Sequence, residues 1–206
     1  MKIRIFELSA LAAFVVSLAM CIAFESDCKN IRNNVLRLHV IADSNSDAAQ
    51  KVKLLVRDAI LKESGELFEG NGNIEEAQIR LSESLDTMKA VAERTLREKG
   101  FTYSAEVEIT ECYFPTRQYG NVTLPAGYYN ALRVILGSGE GENWWCVMFP
   151  PMCLPAASKD EARLSDVLDE KSLEIVSESE KYEVRLWIVE KWYELKEWAE
   201  SKKGGT

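Results

Sequence analysis

From Leu8 to Phe24 the chain is apolar apart from Ser9 and Ser17, with Lys2 and Arg4 before the run and Glu25, Asp27 and Lys29 after it. A short basic start followed by an apolar stretch near the N-terminus has the pattern of a signal peptide or a single membrane anchor. Two candidate processing patterns fit imperfectly. Cys21-Ile22-Ala23 approximates a small-x-small site. Leu18-Ala19-Met20-Cys21 approximates a lipoprotein box, but Met20 is large for its position. Glu7 is also unusual at the entrance to such a run. A buried core helix is the competing reading, and the position and flanks argue against it. The rest of the chain is therefore expected outside the cytoplasm that made it. There a disulfide among Cys28, Cys112, Cys146 and Cys153 is permitted.

A chain of 206 residues accommodates one domain of ordinary size with appendages. The formal charge of −8 argues against nucleic acid as the partner, because phosphate binding needs a basic face. It equally opposes an electrostatic grip on anionic lipid.

Periodicity organises the remainder. Residues 25–34 read as a polar linker. Val35 to Ala42 is predicted as a strand, with Leu36, Leu38 and Val40 on one face and Arg37 and His39 on the other. After the Asp43–Asp47 turn cluster, Asp47 and Gln50 suit a capping box. The following helix, to about Glu63, is expected to bury Val52, Leu55, Val56, Ala59 and Ile60. Gly65 and Gly70-Asn71-Gly72 break the chain. Asn73 with Glu76 then caps a second helix whose Ile74, Ala77, Leu81, Leu85, Met88, Ala92 and Leu96 recur at three or four residues. Gly100 stops it.

From Phe101 to Thr110 the period is two, as in a sheet with one wet face. Strands are predicted around Leu132–Leu136 and Trp144–Phe149, joined by a Gly137–Gly141 hairpin turn and ended by Pro150-Pro151. Ala156 to Ser179 reads as a partly ordered polar linker in which Ser158 and Glu161 could cap a short helix. Tyr182 to Ile188 suggests a last strand and Trp192 to Trp198 a short helix, with one continuous helix as the alternative. The predicted fold class is α+β, with two helices packed on one face of a mainly antiparallel sheet behind an N-terminal signal peptide or anchor. Its predicted divisions are 1–24 leader, 25–34 linker, 35–155 domain, 156–180 linker and 181–206 C-terminal strand and helix.

The stretch Cys112 to Pro155 is dense in aromatic residues, glycine and proline. Rigid aromatics and fixed turns suit a preorganised recognition surface. The plainer reading makes the tryptophans core and the glycines hairpin turns. Neighbouring strand residues point to opposite faces, so one of Trp144 and Trp145 is expected to face outward and the other inward. Candidate contact residues are Tyr113, Phe114, Arg117, Tyr119, Tyr128, Trp144 and Trp145. Cys146 and Cys153 flank Pro150-Pro151, and closing so short a loop would contribute roughly 2–3 kcal/mol. Two buried free thiols are the alternative. The single histidine, His39, could in principle activate Cys146 as a thiol nucleophile of a hydrolase acting on peptide or cell wall. The spacing does not specify that contact. Nor do the cysteines have metal-ligand spacing. Gly137–Gly141 lacks the following Lys-Ser or Lys-Thr and helix of a phosphate loop. No cofactor, metal or small-molecule substrate is expected.

The run from Tyr113 to Cys153, with its Asn-Trp-Trp-Cys and Phe-Pro-Pro-x-Cys elements, resembles the stage II sporulation protein R family. So does Leu36-Arg37-Leu38-His39-Val40-Ile41-Ala42-Asp43-Ser44-Asn45-Ser46, with Lys53 to Ala59 after it. The resemblance covers most of Val35 to Pro155. Asp43-Ser44-Asn45 departs from the family's Asn-Ser-Asp order, and Ala156 to Ser179 does not match. The resemblance implies a non-enzymatic signal made in the forespore and exported into the space between forespore and mother-cell membranes, retained there if the anchor stays uncleaved. It implies a partner, the membrane-embedded aspartic protease stage II sporulation protein GA of the mother cell, and as outcome the processing of pro-sigma-E. A structural envelope protein is a further reading.

Overall fold

The structure, a computed structural model, describes residues 2–68, 73–152 and 164–203. Its centre is a four-stranded sheet in the order β2-β5-β1-β6, formed by β1 (Leu36–Ile41), β2 (Ala105–Phe114), β5 (Gly127–Leu136) and β6 (Asn143–Phe149). β1 runs parallel to β5 and antiparallel to β6, and β2 runs antiparallel to β5. A small hairpin, β3 (Arg117–Tyr119) with β4 (Val122–Leu124), projects between β2 and β5. The architecture is α+β with a mainly antiparallel sheet, as the periodicities predict.

One sheet face carries α2 (Asp47–Leu67), α3 (Ile74–Glu83) and α4 (Leu85–Glu98). Leu36, Leu38, Val40, Leu132, Val134 and Leu136 pack there against Val52, Val56, Ile60, Leu81, Met88 and Leu96. Removing each such side chain from water contributes about 1.5–3 kcal/mol. The expected long helix from Ile74 is two helices, because the chain bends at Ser84 (φ −104°, ψ 5°). Ser84 Oγ donates there to the Arg80 carbonyl at 2.9 Å. The cap of α2 is Ser46 rather than Asp47, with its hydroxyl accepting from Ala49 N–H. Leu55 is exposed rather than core. Asn73 does cap α3, accepting from Glu76 N–H at 2.9 Å. Gly100 ends α4 at φ +82°, a left-handed conformation that side chains disfavour. Phe101 N–H then reaches back to the Leu96 carbonyl.

The opposite sheet face is not wet. It carries a second core of Phe24, Cys28, Ile31, Val35, Cys112, Phe114, Tyr129, Ala131, Val147, Leu164, Leu168, Ile175 and Val176. Three predictions are corrected by this layer. The expected 25–34 linker is helical up to Asn33, as the continuation of α1 (Lys2–Asn33), and Phe24, Cys28, Ile31 and Arg32 are buried. The expected 156–180 linker contains, in its described part, buried Leu164 and Leu168 and the helix α5 (Glu170–Ser177). The Ser158–Glu161 cap lies outside the described residues. The predicted strand at Tyr182–Ile188 is helical. After a 3₁₀ turn over Ser179–Tyr182, α6 runs from Glu183 to Lys203, which matches the continuous-helix alternative.

β2 shows how one strand serves both layers. Ala105, Val107 and Ile109 meet the α2–α4 face, while Cys112 and Phe114, in the other phase, meet the second core. The strand begins at Ala105 rather than Phe101.

Gly137–Gly141 is not a hairpin turn, because β1 lies between β5 and β6. The loop crosses the end of β1 and is clasped by the segment after it. Asp43 Oδ1 accepts from Ser138 N–H at 2.9 Å, and Asn45 Oδ1 from Glu142 N–H at 2.8 Å. Lys53 Nζ donates to the Glu142 carbonyl at 2.8 Å. Gly141 is required by crowding, since a Cβ there would lie 2.4 Å from the Ser44 carbonyl oxygen.

Candidate functional site

The seven candidate contact residues fall into three places. Phe114, Arg117, Tyr119 and Trp145 assemble on the second sheet face around His39 and Arg37. The Trp145 ring stacks on His39 (centroids 5.9 Å, 27°), and Phe114 meets His39 edge-on at 6.0 Å. The Arg117 guanidinium lies 4.7 Å from the Trp145 ring centroid. His39 Nε2 donates to Asn143 Oδ1 at 2.7 Å, and burial pulls its pKa below the ordinary histidine value. A neutral imidazole is the form that stacks here. Trp145 Nε1 is buried with no partner among the described residues.

Beneath this stack sits Arg37, fully buried. Its Nε donates to the Cys146 carbonyl at 3.0 Å and its Nη2 to the Tyr119 hydroxyl. Its guanidinium lies against three rings, 4.3 Å from Phe114, 4.8 Å from Tyr129 and 5.3 Å from Tyr119. Aromatic faces in place of a carboxylate thus offset part of the desolvation of the charge. Burial raises the Tyr119 pKa, partly opposed by Arg37 and Arg117. The β3–β4 hairpin is fastened over the site by the Arg37–Tyr119 bond and by Thr123 Oγ1 to Ser179 Oγ at 2.9 Å. Arg117 and Gln118 are left exposed at its edge. In the sequence Arg37 shares its strand face with His39, and that alternation gives it no role.

Tyr113 and Tyr128 form the second place. They make a triangle with Tyr193 of α6, with centroid separations of 6.0, 6.2 and 5.8 Å. Tyr128 donates to Glu197, and Tyr193 to Glu25 of α1 at 2.9 Å. Burial, with Glu190, Glu194 and Glu197 nearby, pushes the Tyr113 phenol up to about 12. These tyrosines dock α6 against the sheet and the end of α1. Arg32 completes the joint, donating to the Ala126 carbonyl at 3.1 Å and pairing with Glu25. Its side chain fills the space a Cβ on Gly127 (φ +141°) would need.

Trp144 is the third place. It lies on the opposite face from Trp145, 4.3 Å from the Arg57 guanidinium. Trp144 is exposed and Trp145 half-buried, so neither is fully inside, which corrects the expectation of one core tryptophan. Edge position explains it, because β6 has a neighbour on one side only.

His39 and Cys146 cannot act as a dyad. Cys146 is paired with Leu38 across β1–β6 and faces the α2–α4 core, whereas His39 faces the other side with Trp145. Cys146 is disulfide-bonded, and Cys21, Cys28 and Cys112 are free thiols. Cys153 lies outside the described residues. No group of three His, Cys, Asp or Glu side chains suited to a metal occurs among the described residues.

α1 is the one helix among the described residues long and apolar enough to cross a membrane, and it has the position of a signal sequence or anchor. The molecule is thus of the class in which an α+β domain with an aromatic and arginine-lined face is joined directly to an N-terminal apolar helix. Residues 32–159 match the family of stage II sporulation protein R, and the chain belongs to that family. Stage II sporulation protein R of Bacillus subtilis (strain 168) is 40% identical over 132 residues, which cover 64% of this chain and 59% of that relative. The match therefore spans about three-fifths of the relative's length. No solved structure matches the chain.

Proposed function

We propose that this is an exported sporulation signal that activates a membrane-embedded aspartic protease of the mother cell, the stage II sporulation protein GA, and so triggers processing of pro-sigma-E. Membership of the stage II sporulation protein R family carries the reading. The direct joining of the domain to an apolar N-terminal helix supports it, since this would hold an uncleaved chain close to the membrane that exports it. The Trp145–Arg117 edge supplies a contact surface of the residue types that concentrate interface energy. An activator shifts an equilibrium only by binding the active arrangement better than the inactive one. Aspartic dyads need two carboxylates, so a dimer of the protease is the arrangement to be favoured.

The test is processing of pro-sigma-E in cells that co-express the protease and this chain. Wild type is expected to yield processed sigma factor. Leu11→Arg/Val15→Arg, which disables the apolar helix as an export signal, is expected to yield little. No processing with the exported wild type, or equal processing by the two, would contradict the proposal.

We also propose a Cys146–Cys153 bridge. Cys146 is disulfide-bonded while three other cysteines carry free thiols, which supports the pairing. Peptide mass analysis without reductant should recover the two linked. Recovery of both alkylated as thiols would exclude the bridge.

A further inference from the structure

α6 is apolar on two sides. Leu186, Val189 and Tyr193 face the domain, and the first two are buried. On the other side Val184, Trp187, Ile188, Trp192, Leu195 and Trp198 are all exposed, Trp187 at 56% and Trp192 at 62%. At 100° per residue these six fall within one half of the helix. Lys191, paired with Glu194 at 2.6 Å, sits within this stripe, and its long apolar stem allows the ammonium to reach headgroup level while the neighbouring rings stay lower.

The exposed side is continuous with α1. A groove lined by Leu18, Cys21 and Phe24 of α1 and by Ile188, Val189 and Trp192 of α6 joins the two helices. Phe24 also stacks on Tyr182, just before α6, at 5.7 Å. From Leu8 to Ala23, α1 is exposed throughout, and from Phe24 onward it is docked in the domain.

Length then fixes the level of the membrane. At about 1.5 Å per residue, the free stretch Ile5–Ala23 is about 28 Å long. The hydrocarbon core of a bilayer is about 30 Å thick. The free stretch therefore spans that core with nothing to spare, which puts Phe24 and the α1–α6 groove at the boundary between hydrocarbon and headgroups. Tryptophan is enriched at the boundary between hydrocarbon and headgroups. We propose that α6 is an interfacial membrane element, with Trp187, Ile188, Trp192 and Leu195 set into the surface of the bilayer that α1 enters. The occupant of the exposed stripe is lipid, held by apolar and aromatic contact rather than by charge. This rests on α1 entering a bilayer and is independent of which protein the domain signals to.

Three of the chain's five tryptophans lie on α6, which makes their emission the probe. Full-length protein is reconstituted into phosphatidylcholine vesicles carrying lipids brominated on the acyl chain near the headgroup. Wild-type emission should be quenched by about half or more, and the quenching should fall at least about threefold in Trp187→Phe/Trp192→Phe/Trp198→Phe. Ile188→Glu at an exposed position, which leaves every tryptophan in place, should shift wild-type emission to the red and reduce the quenching. Unquenched wild-type emission would overturn the proposal. So would equal quenching of wild type and triple variant, or cross-linking of α6 to α6 between copies with emission insensitive to bromine.

Discussion

Arg37→Ala is expected to destabilise the domain by about 3–5 kcal/mol, from a cavity of large side-chain size and from the buried groups it abandons. The Cys146 carbonyl and the Tyr119 hydroxyl would each lose a donor, and Phe114, Tyr119 and Tyr129 would lose the body packed between them. The β3–β4 hairpin would lose one of the two bonds that tie the Tyr119 hydroxyl to the sheet, keeping the longer one to the Trp145 carbonyl at 3.5 Å. Arg37→Met separates these contributions. It fills most of the volume and removes a buried cation, and exchanges of that kind are often neutral. Its cost should be less than half that of alanine. Urea unfolding of the full chain in mild detergent, followed by near-ultraviolet circular dichroism, gives both values. A loss below about 1 kcal/mol for Arg37→Ala would show that the site relaxes without its arginine.

Arg37 also marks where reading by periodicity stops. Leu36, Leu38 and Val40 alternate with Arg37 and His39, and the alternation correctly identifies a strand and the α2–α4 core face. It assigns the other phase to solvent because its residues are polar. Whether that face is covered depends on segments distant in sequence, and these looked polar on average. Phe24, Cys28 and Ile31 are spaced as one helix face, but they sit among Glu25, Asp27, Lys29 and Asn30. Leu164, Leu168, Ile175 and Val176 are similarly sparse among charges. A second-layer helix needs only a narrow apolar stripe, which composition averages hide and position-by-position spacing reveals. The α6 error has a different origin. Tyr182, Val184, Leu186 and Ile188 alternate as in a strand, because apolar residues on both sides of a helix also produce period two over a short window. The Gly137–Gly141 loop has the sequence of a hairpin turn because adjacency favours pairing β5 with β6 directly, and nothing local announces that β1 is inserted between them.

The candidate contact residues were legible as a composition and not as a surface. Their spacing on β2, the hairpin and β6 does not tell that Tyr113 and Tyr128 are taken up in docking α6. Nor does it tell that Trp144 and Trp145 serve opposite faces with different arginines. What remains together is Trp145, Arg117 and the exposed edge of the hairpin.

That remaining group yields the sharpest functional expectation. If Trp145 and Arg117 are the contact with the protease, Arg117→Ala should lower pro-sigma-E processing at least about tenfold, the effect of a hot-spot residue worth roughly 2 kcal/mol. Arg117 is exposed and lies over the Trp145 ring, so its loss should leave the unfolding free energy within about 0.5 kcal/mol of wild type. Trp145→Ala should lower processing further but also cost stability, because the ring packs on His39. Trp145→Phe keeps most of that packing while removing the Nε1–H that has no partner among the described residues. If a protease group accepts from this N–H, the phenylalanine variant should fold normally and signal poorly. Trp144→Ala, on the opposite face against Arg57, should signal normally. The measurements are immunoblots of sigma-factor processing in co-expressing cells, read beside unfolding curves of each variant. Normal processing by both Arg117→Ala and Trp145→Phe would remove this edge from the interface. A loss confined to Trp144→Ala would move the contact to the α2 side of the sheet.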